Sequence, residues 1–534
     1  MEGQPSAGSS GTCGCARDAM NSVIRTRLVG VILWLLFATV IAVQLWVVIP
    51  GVFVMRLWED EAFNLTVPLN LLAGHGYTSD GTLSGSALST FDPRISTGPV
   101  VLLPITLVIA LGADPVIGGR LVILGFYIAL LAGLWILGNR IGGRGTTTGR
   151  LAGLIAVCVP LGWNTWASAS PIQSPVDILG EVPSAALLIW AIVVFKERPW
   201  LAGLFIGLAM QTKLVAALGA PAIAVGVFLT STGAFWPRAK RVLLCAVVAV
   251  VPSALYELWK LVTLGPAGYW SNLREFYWFF KTGGQKITPV PPAAKADALF
   301  TTWFSPIWLT VLCFVIVLVV FVLVVWRVIR AVRVAGVRPA EVVARERIAL
   351  GLVAVVGVLT WSAWWMISRG TPVWPRHPSP GIYTFVPILA ALAVAGIVCL
   401  WQRQRRTTAA RALAVSAAVV LVATVSLQLW GRAQIADQSR YGEDLADQRA
   451  AASAISDLDD NKLVSAWGPE VSVVVLSGAH AGLTDVPRLY GTPQLWRNYD
   501  STAAGRQTFQ DRLTARCSDV PVREGPYAVC LPKG

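Results

Sequence analysis

The stretch Trp58–Tyr77, WEDEAFNLTVPLNLLAGHGY, sets the plan of the whole chain. It follows an apolar run, Leu28 to Val54, that is long enough to span a bilayer. It opens with three consecutive carboxylates, Glu59, Asp60 and Glu61. Behind them Ala62, Leu65, Leu69 and Leu72 recur at helical spacing, which predicts a short amphipathic helix lying on the membrane. Pro68 suits the first turn of such a helix, and Gly74 suits the residue just past its end. Acids at a lipid–water boundary beside a lipid-facing helix point to chemistry on a lipid-borne substrate. The competing reading is that they only mark where the first helix leaves the membrane.

The rest of the composition agrees with a membrane protein. Of 534 residues, 55% are hydrophobic and only 13% charged, and the mean hydropathy is +0.63. Soluble domains carry about a quarter charged residues. The net charge of +14 does not imply nucleic acid, because Lys and Arg concentrate in short loops between apolar runs and in the C-terminal tail. Among the eight cysteines there is no metal-ligand spacing. Cys517 and Cys530 form the one pair in a polar segment; if that segment is extracytoplasmic, they suit a disulfide.

The basic loops fix an expected topology. Arg25 and Arg27 precede the first span and keep the N-terminus cytoplasmic, with the acidic cluster outside. The apolar run Val100 to Leu111 is about a dozen residues, too short to span with comfort and suited to a re-entrant or interfacial helix. Leaving it out of the count places the loops at Arg144, Lys196, Arg238, Arg327–Arg347 and Gln402–Arg411 on one side. The expectation is an α-helical polytopic membrane protein of about 11 transmembrane helices. Residues 1–24 read as a disordered cytoplasmic leader and 25–430 as the membrane domain. Residues 431–534 read as a small extracytoplasmic α/β domain, with strands at Lys462–Trp467, Val471–Leu476 and Tyr527–Leu531. The segment Gly265–Ser305 reads as a long outer loop.

With that topology the unusual polar residues share the outer face: Asp60 and Glu61, Asp177 and Glu181, Lys213, and Arg376 with His377. Carboxylates beside cations suit an acceptor deprotonated by an acid group while a phosphate is held by Lys or Arg.

Here the sequence resembles the GT-C superfamily of membrane glycosyltransferases, which includes the protein O-mannosyltransferases and the lipid A aminoarabinose transferase. Those enzymes carry an Asp-Glu pair after span one, matched by Asp60-Glu61. Their basic Pro-Pro turn has its counterpart in STGPVVLLP (Ser96 to Pro104), where Thr97-Gly98 replaces the basic residue and Arg94 is the nearby substitute. LGEVPSAALL (Leu179 to Leu188) resembles their second acidic motif. LAGLFIGLAMQTK (Leu201 to Lys213) resembles the segment before a lysine. PRHPSPGIYTFVP (Pro375 to Pro387) resembles an Arg-Tyr-Pro motif, with His377 where Tyr is usual. The likeness runs from Leu28 to about Leu400.

The resemblance implies an inverting glycosyltransferase of the cell envelope that uses a polyprenyl-phosphate sugar, hexosyl or pentosyl, as donor. Its acceptor would be a glycan, lipid or protein on the outer face. It implies Asp60 as general base, with Glu61 orienting Asp60 or contacting the acceptor. The donor phosphate would lie near Lys213, Arg94 or Arg376, with Thr97, Asp177, Glu181 and His377 lining the substrate site. A divalent metal between Asp60 and the second-loop acids stays open. The alternative class is a transporter or flippase of lipid-linked glycans, which would bury ionisable groups near span centres.

Overall fold

The computed structural model describes residues 48–85, 88–162, 174–282, 289–303, 346–368, 376–403, 443–456, 462–486 and 489–533, with scattered positions in 31–46 and at 311, 315, 415 and 458. The leader, most of the first span, residues 327–345 of the basic loop and nearly all of the last span expected at Ala412–Trp430 lie outside them.

The chain is mostly helical. Helix α1, Glu59–Leu72, leads through a two-strand ribbon, β1 (Thr78–Ser79) and β2 (Ser89–Thr90), to α2, Pro99–Ala110. Then come α3 (Pro115–Gly142), α4 (Thr147–Gly162), α5 (Glu181–Val194), α6 (Pro199–Met210), a 3-10 turn (Leu214–Gly219) and α7 (Ala220–Thr230). Helices α8 (Phe235–Thr282), α9 (Pro292–Trp303), α10 (Glu346–Ile367) and α11 (Ser379–Arg403) complete the apolar part. Among the described residues, α3, α8, α10 and α11 are long and apolar enough to cross a membrane, and five shorter apolar helices accompany them. On α8, Leu243, Val247, Val250, Leu258 and Val262 are bare, a face that belongs in lipid.

Helix α1 differs from the expected surface helix. Nine of its fourteen residues are buried, and Pro68 lies inside it rather than in its first turn. Its chain is covered on one side by α2 and α3 and on another by the tail domain. Gly74 does follow its end, at φ 85°.

Helix α2 is anchored at both ends. At its start Gly98 donates its N–H to Thr212 O at 3.0 Å. Just past its end Asp114 pairs with Arg449 of the tail at 2.6 Å. A twelve-residue helix is about 18 Å long, well short of the ~30 Å hydrocarbon core.

Of the segment expected as an outer loop, residues 266–282 and 292–303 are helical. Helix α8 continues to Thr282 past a break at Gly265 (φ 67°), and α9 follows. Before the break, Tyr77 and Phe91 of loop one pack on Tyr256 and Trp259 of α8.

The tail comprises α12 (Leu445–Ser456), β3 (Lys462–Ser465), α13 (Pro469–Leu476), β4 (His480–Leu483), β5 (Gln494–Arg497), α14 (Ala503–Arg516), β6 (Cys517–Glu524) and β7 (Tyr527–Pro532). Its sheet has the order β4-β3-β5-β7-β6, with β3 parallel to β4 and β5, and β7 antiparallel to β5 and β6. A disulfide joins Cys517 to Cys530 with the Cα atoms 5.2 Å apart, tying β6 to β7. Val471–Leu476, expected as a strand, is the body of helix α13. Its β-branched residues are buried all round between the sheet and α1, and Pro469 starts the helix after Gly468, so packing overrides strand preference.

The tail is not a loose appendage. Leu57, Leu65, Val101, Leu102 and Ile105 share one apolar core with Leu445, Ile455, Leu463, Val474 and Val529. Gln448 pins the entrance of α1, accepting from Leu57 N at 2.6 Å and donating to Leu57 O at 3.2 Å.

Candidate active site

Each of the three carboxylates that open α1 meets its own arginine, and the arginines come from three separate parts of the chain. Glu59 pairs with Arg56 at 3.2 Å. Glu61 pairs with Arg120 of α3 at 2.8 Å, both side chains fully buried. Asp60 accepts from Arg376, in the turn before α11.

The Glu61 pair is a closed network. Its two oxygens accept from Arg120 Nε (3.0 Å) and Nη2 (2.8 Å), from Trp58 N (3.0 Å) and from Ile178 N (2.9 Å). Arg120 also donates to Met55 O and Arg56 O, each at 2.8 Å. Four donors fill the lone-pair directions of the carboxylate, so no oxygen of Glu61 is turned toward a reacting group. The network joins the end of the first span, the start of α1, the turn at 178 and α3.

Three connections then converge beside Asp60. Asn64 of α1 donates to Thr97 Oγ1 at 3.0 Å and to Ile178 O at 2.8 Å. The turns at 96–98 and 178–181 both press on the segment 211–213. A Cβ at Gly98 would lie 2.1 Å from Gln211 O, and one at Gly180 would lie 2.4 Å from Thr212 O. These two positions therefore take only glycine without displacing backbone. The convergence carries Lys213 against Glu181, the first residue of α5, and the ammonium bonds to Oε1. Arg376 Nε stands 3.7 Å from the same oxygen. Glu181 Oε2 is buried with no hydrogen-bond partner among the described residues. The Arg376 guanidinium also lies over the Trp58 ring, 5.1 Å from its centroid.

Asp60, Thr97, Glu181, Lys213, Arg376 and His377 thus meet in one place. Asp177 lies at its edge and caps its own turn, accepting from Ser174 N at 3.0 Å. Arg94 is turned elsewhere, to Asp92 (3.5 Å) and Glu275 (3.4 Å). Burial first, then the cations Lys213, Arg376 and Lys295, push His377 well below the ordinary histidine range.

The place left open for a metal, between Asp60 and the second-loop acids, is held by the Arg376 guanidinium. Among the described residues no group of three or more His, Cys, Asp or Glu side chains comes together.

Two residues of the site were not singled out in the sequence. Arg120 read as the start of a span, although an arginine inside an apolar helix is itself a signal. Lys295, fully buried, donates to Ser368 O at 2.5 Å and lies 4.5 Å from the Trp365 ring centroid. It sits among small residues of α9 with no local pattern to mark it.

Solved structures share this architecture. ArnT from Cupriavidus metallidurans bound to undecaprenyl phosphate matches with a TM-score of 0.53 at 14% identity, over 93% of this chain and 97% of that one. Its apo state gives 0.52 at 14% identity, over 92% and 97%. The chain shares the fold of these ArnT structures. The archaeal oligosaccharyltransferase AglB from Archaeoglobus fulgidus, in complex with an inhibitory peptide and a dolichol-phosphate, gives 0.49 at 10% identity, over 84% of this chain and 64% of that one. No family model and no curated protein matches the chain. Within this architecture, the cluster around Asp60 lies where helix ends, loop one and the tail domain meet.

Proposed function

We propose that this chain is an inverting membrane glycosyltransferase that moves a sugar from a polyprenyl-phosphate donor to a glycan, lipid or protein acceptor on the outer face. The observation that carries the reading is the shared guanidinium of Arg376, bonded to Asp60 and close to Glu181, with Lys213 on the same Glu181 oxygen. A candidate base and two phosphate-binding cations are interleaved within one cluster. The undecaprenyl phosphate bound to ArnT supports a prenyl-phosphate ligand for this fold.

In this mechanism the donor phosphate takes Arg376 and Lys213 as partners. Drawing Arg376 toward phosphate loosens its hold on Asp60. Asp60 then accepts the proton of the acceptor hydroxyl as that oxygen attacks the anomeric carbon. The bond from the anomeric carbon to the phosphate oxygen breaks in the same displacement, and the prenyl phosphate leaves as an anion stabilised by the fixed cations. Glu61 acts as a positioning residue through Arg120. Thr97 and Asp177 support the turns, and His377 supplies a neutral hydrogen-bonding group. Arg94 serves loop one rather than the phosphate.

The reading includes about eleven spans, with a cytoplasmic leader (1–24), a membrane domain (25–430) and an extracytoplasmic tail (431–534). The tail and the Asp60 cluster share a side because α1 packs on both, which supports placing them outside together. The test is the purified protein in nanodiscs with hexosyl and pentosyl polyprenyl phosphates. Release of prenyl phosphate from at least one donor, dependent on acceptor, is the expected result. A protein that binds these lipids and moves them across the bilayer without breaking the sugar–phosphate bond is a transporter instead.

A further inference from the structure

Helix α8 breaks at Gly265, and the part beyond the break, 266–282, has its polarity reversed. Asn272 is its one buried residue, whereas Trp270 (63%), Tyr277 (65%), Trp278 (41%) and Phe280 (58%) are exposed. A helix bathed in water turns its rings inward and its amides outward.

The exposed residues are ordered along the helix. Trp270, Arg274, Tyr277 and Lys281 recur at helical spacing and form one stripe, with Trp278 along its edge. Arg274 and Lys281 are exposed and make no ion pair among the described residues. By the same spacing Asn272 lies opposite the stripe. It donates to Phe91 O of loop one at 2.8 Å. Glu275, the one acid of the segment, is also off the stripe and pairs with Arg94 of loop one at 3.4 Å. Loop one therefore holds the back of the helix and leaves the stripe facing away.

The first part of α8 sets the depth of the stripe. Its bare apolar side chains run from Leu243 to Val262, about 30 Å of helix axis, the thickness of one hydrocarbon core. The break at Gly265 comes less than one turn later, so 266–282 begins where hydrocarbon gives way to headgroups. Trp and Tyr favour that layer, and Arg and Lys reach lipid phosphates from it.

We infer that Trp270, Arg274, Tyr277 and Lys281 form a seat for the headgroups of anionic phospholipids, on the side of the membrane that carries loop one. The rings lie in the interfacial layer and the two cations take the headgroups. Anionic lipid is favoured because the stripe presents two unpaired cations and no acid. A second copy of this chain is a poor occupant, since two such stripes laid together would set cations against cations. The seat stands apart from the transferase reading.

The test uses the full chain, with its free cysteines replaced, in phosphatidylcholine nanodiscs. The discs hold a minor share of doxyl-labelled phosphatidylglycerol or doxyl-labelled phosphatidylcholine as quencher. An NBD fluorophore is attached at Trp278→Cys, on the edge of the stripe, or at Glu275→Cys, on the side of loop one. At 278 the phosphatidylglycerol is expected to quench more strongly than the phosphatidylcholine, by about twofold or more. Both lipids quench 275 more weakly than 278. Arg274→Gln with Lys281→Gln, at exposed positions that the fold does not need, removes the headgroup preference and leaves the quenching by phosphatidylcholine. The seat is overturned if 278 is not quenched, as it would not be in water or beneath a second copy. It is equally overturned if 275 and 278 quench alike, if 278 shows no headgroup preference, or if the preference survives in the double variant.

Discussion

Arg376 and Asp60, 316 residues apart in sequence, are bonded across the candidate active site, and the same guanidinium stands 3.7 Å from Glu181. The candidate base is therefore held by a cation that a phosphate would also claim. Asp60→Asn keeps the size of the side chain and removes its basicity. Turnover is expected to fall by about two to four orders of magnitude, with little change in prenyl-phosphate affinity. Single-turnover kinetics with a lipid-linked sugar check this. Wild-type turnover in the variant would remove Asp60 from the mechanism.

Lys213 and Glu181 form a buried pair, so a single substitution confuses stability with binding. Lys213→Ala leaves Glu181 without its ammonium and is expected to cost on the order of 3 kcal/mol of stability. The double variant Lys213→Met with Glu181→Gln removes both charges and recovers most of that loss. Its prenyl-phosphate affinity still falls by about tenfold or more, since a charge-assisted contact worth about 1.5–3 kcal/mol is gone. Thermal unfolding and lipid titration on both variants separate the two effects. Full affinity in the double variant would take Lys213 out of the donor site.

Arg120 matters for assembly and not for the reacting atoms. Arg120→Met leaves Glu61 buried and uncompensated, with an expected loss of about 3–5 kcal/mol. Glu61→Gln keeps the shape and most of the hydrogen bonds and is milder. If Glu61 were the base, Glu61→Gln would abolish turnover in a fully folded protein. Near wild-type stability together with a turnover loss as large as that of Asp60→Asn would reverse the two roles.

What could be read from the sequence follows from the range of the forces involved. The Asp60-Glu61 pair, Glu181, Lys213 and Arg376 stand out because charges are rare in an apolar chain and each sits at the end of an apolar run. The roles of Asp60 and Glu61 could not be separated, since only contacts at long range show that Arg120 saturates one and Arg376 holds the other. The strand expected at Val471–Leu476 is a helix because burial on all sides, not alternation, shaped its composition. The amphipathic pattern of α1 marked a true helix but the wrong neighbour: Ala62 and Leu65, with Leu69 against them, pack into a core shared with the tail domain, which no local signal announces. Gly265–Ser305 read as a loop because Pro and Gly punctuate it, yet the helix resumes after one residue of positive φ at Gly265.

His480 reports on how the tail docks. Its Nδ1 meets Asp80 of loop one at 3.0 Å, and Ala481 N also donates to Asp80 at 2.9 Å. The hydrogen bond to Asp80 raises the imidazole above its ordinary value of 6.5, against burial and the nearby Lys462. A raised folded value means that this stabilisation is fully present below 6.5 and is lost as pH rises through the folded value. Hydrogen exchange at residues 78–82 and 480–483 is expected to be slower at about pH 5.5 than at about pH 8.5, after correction for intrinsic rates. His480→Gln removes the difference. A pH effect that survives in His480→Gln would assign it to another group.

Helix α2 decides the sidedness of everything after it. One of its ends is tied to Thr212 and the other, through Asp114, to Arg449 of the tail. If α2 does not cross, Leu111, 79% exposed at its far end, lies on the same side of the membrane as the tail, and Arg144, after one crossing by α3, lies on the other. Single cysteines at 73, 111, 144 and 500, in a chain whose free cysteines are replaced, are labelled with an impermeant maleimide in sealed vesicles. Positions 73, 111 and 500 are expected to react from one side and 144 from the other. Labelling of 73 together with 144, with 111 opposite, would make α2 a crossing, invert every later loop, and place Lys213 and Arg376 on the face opposite to Asp60, which their ion pairs forbid.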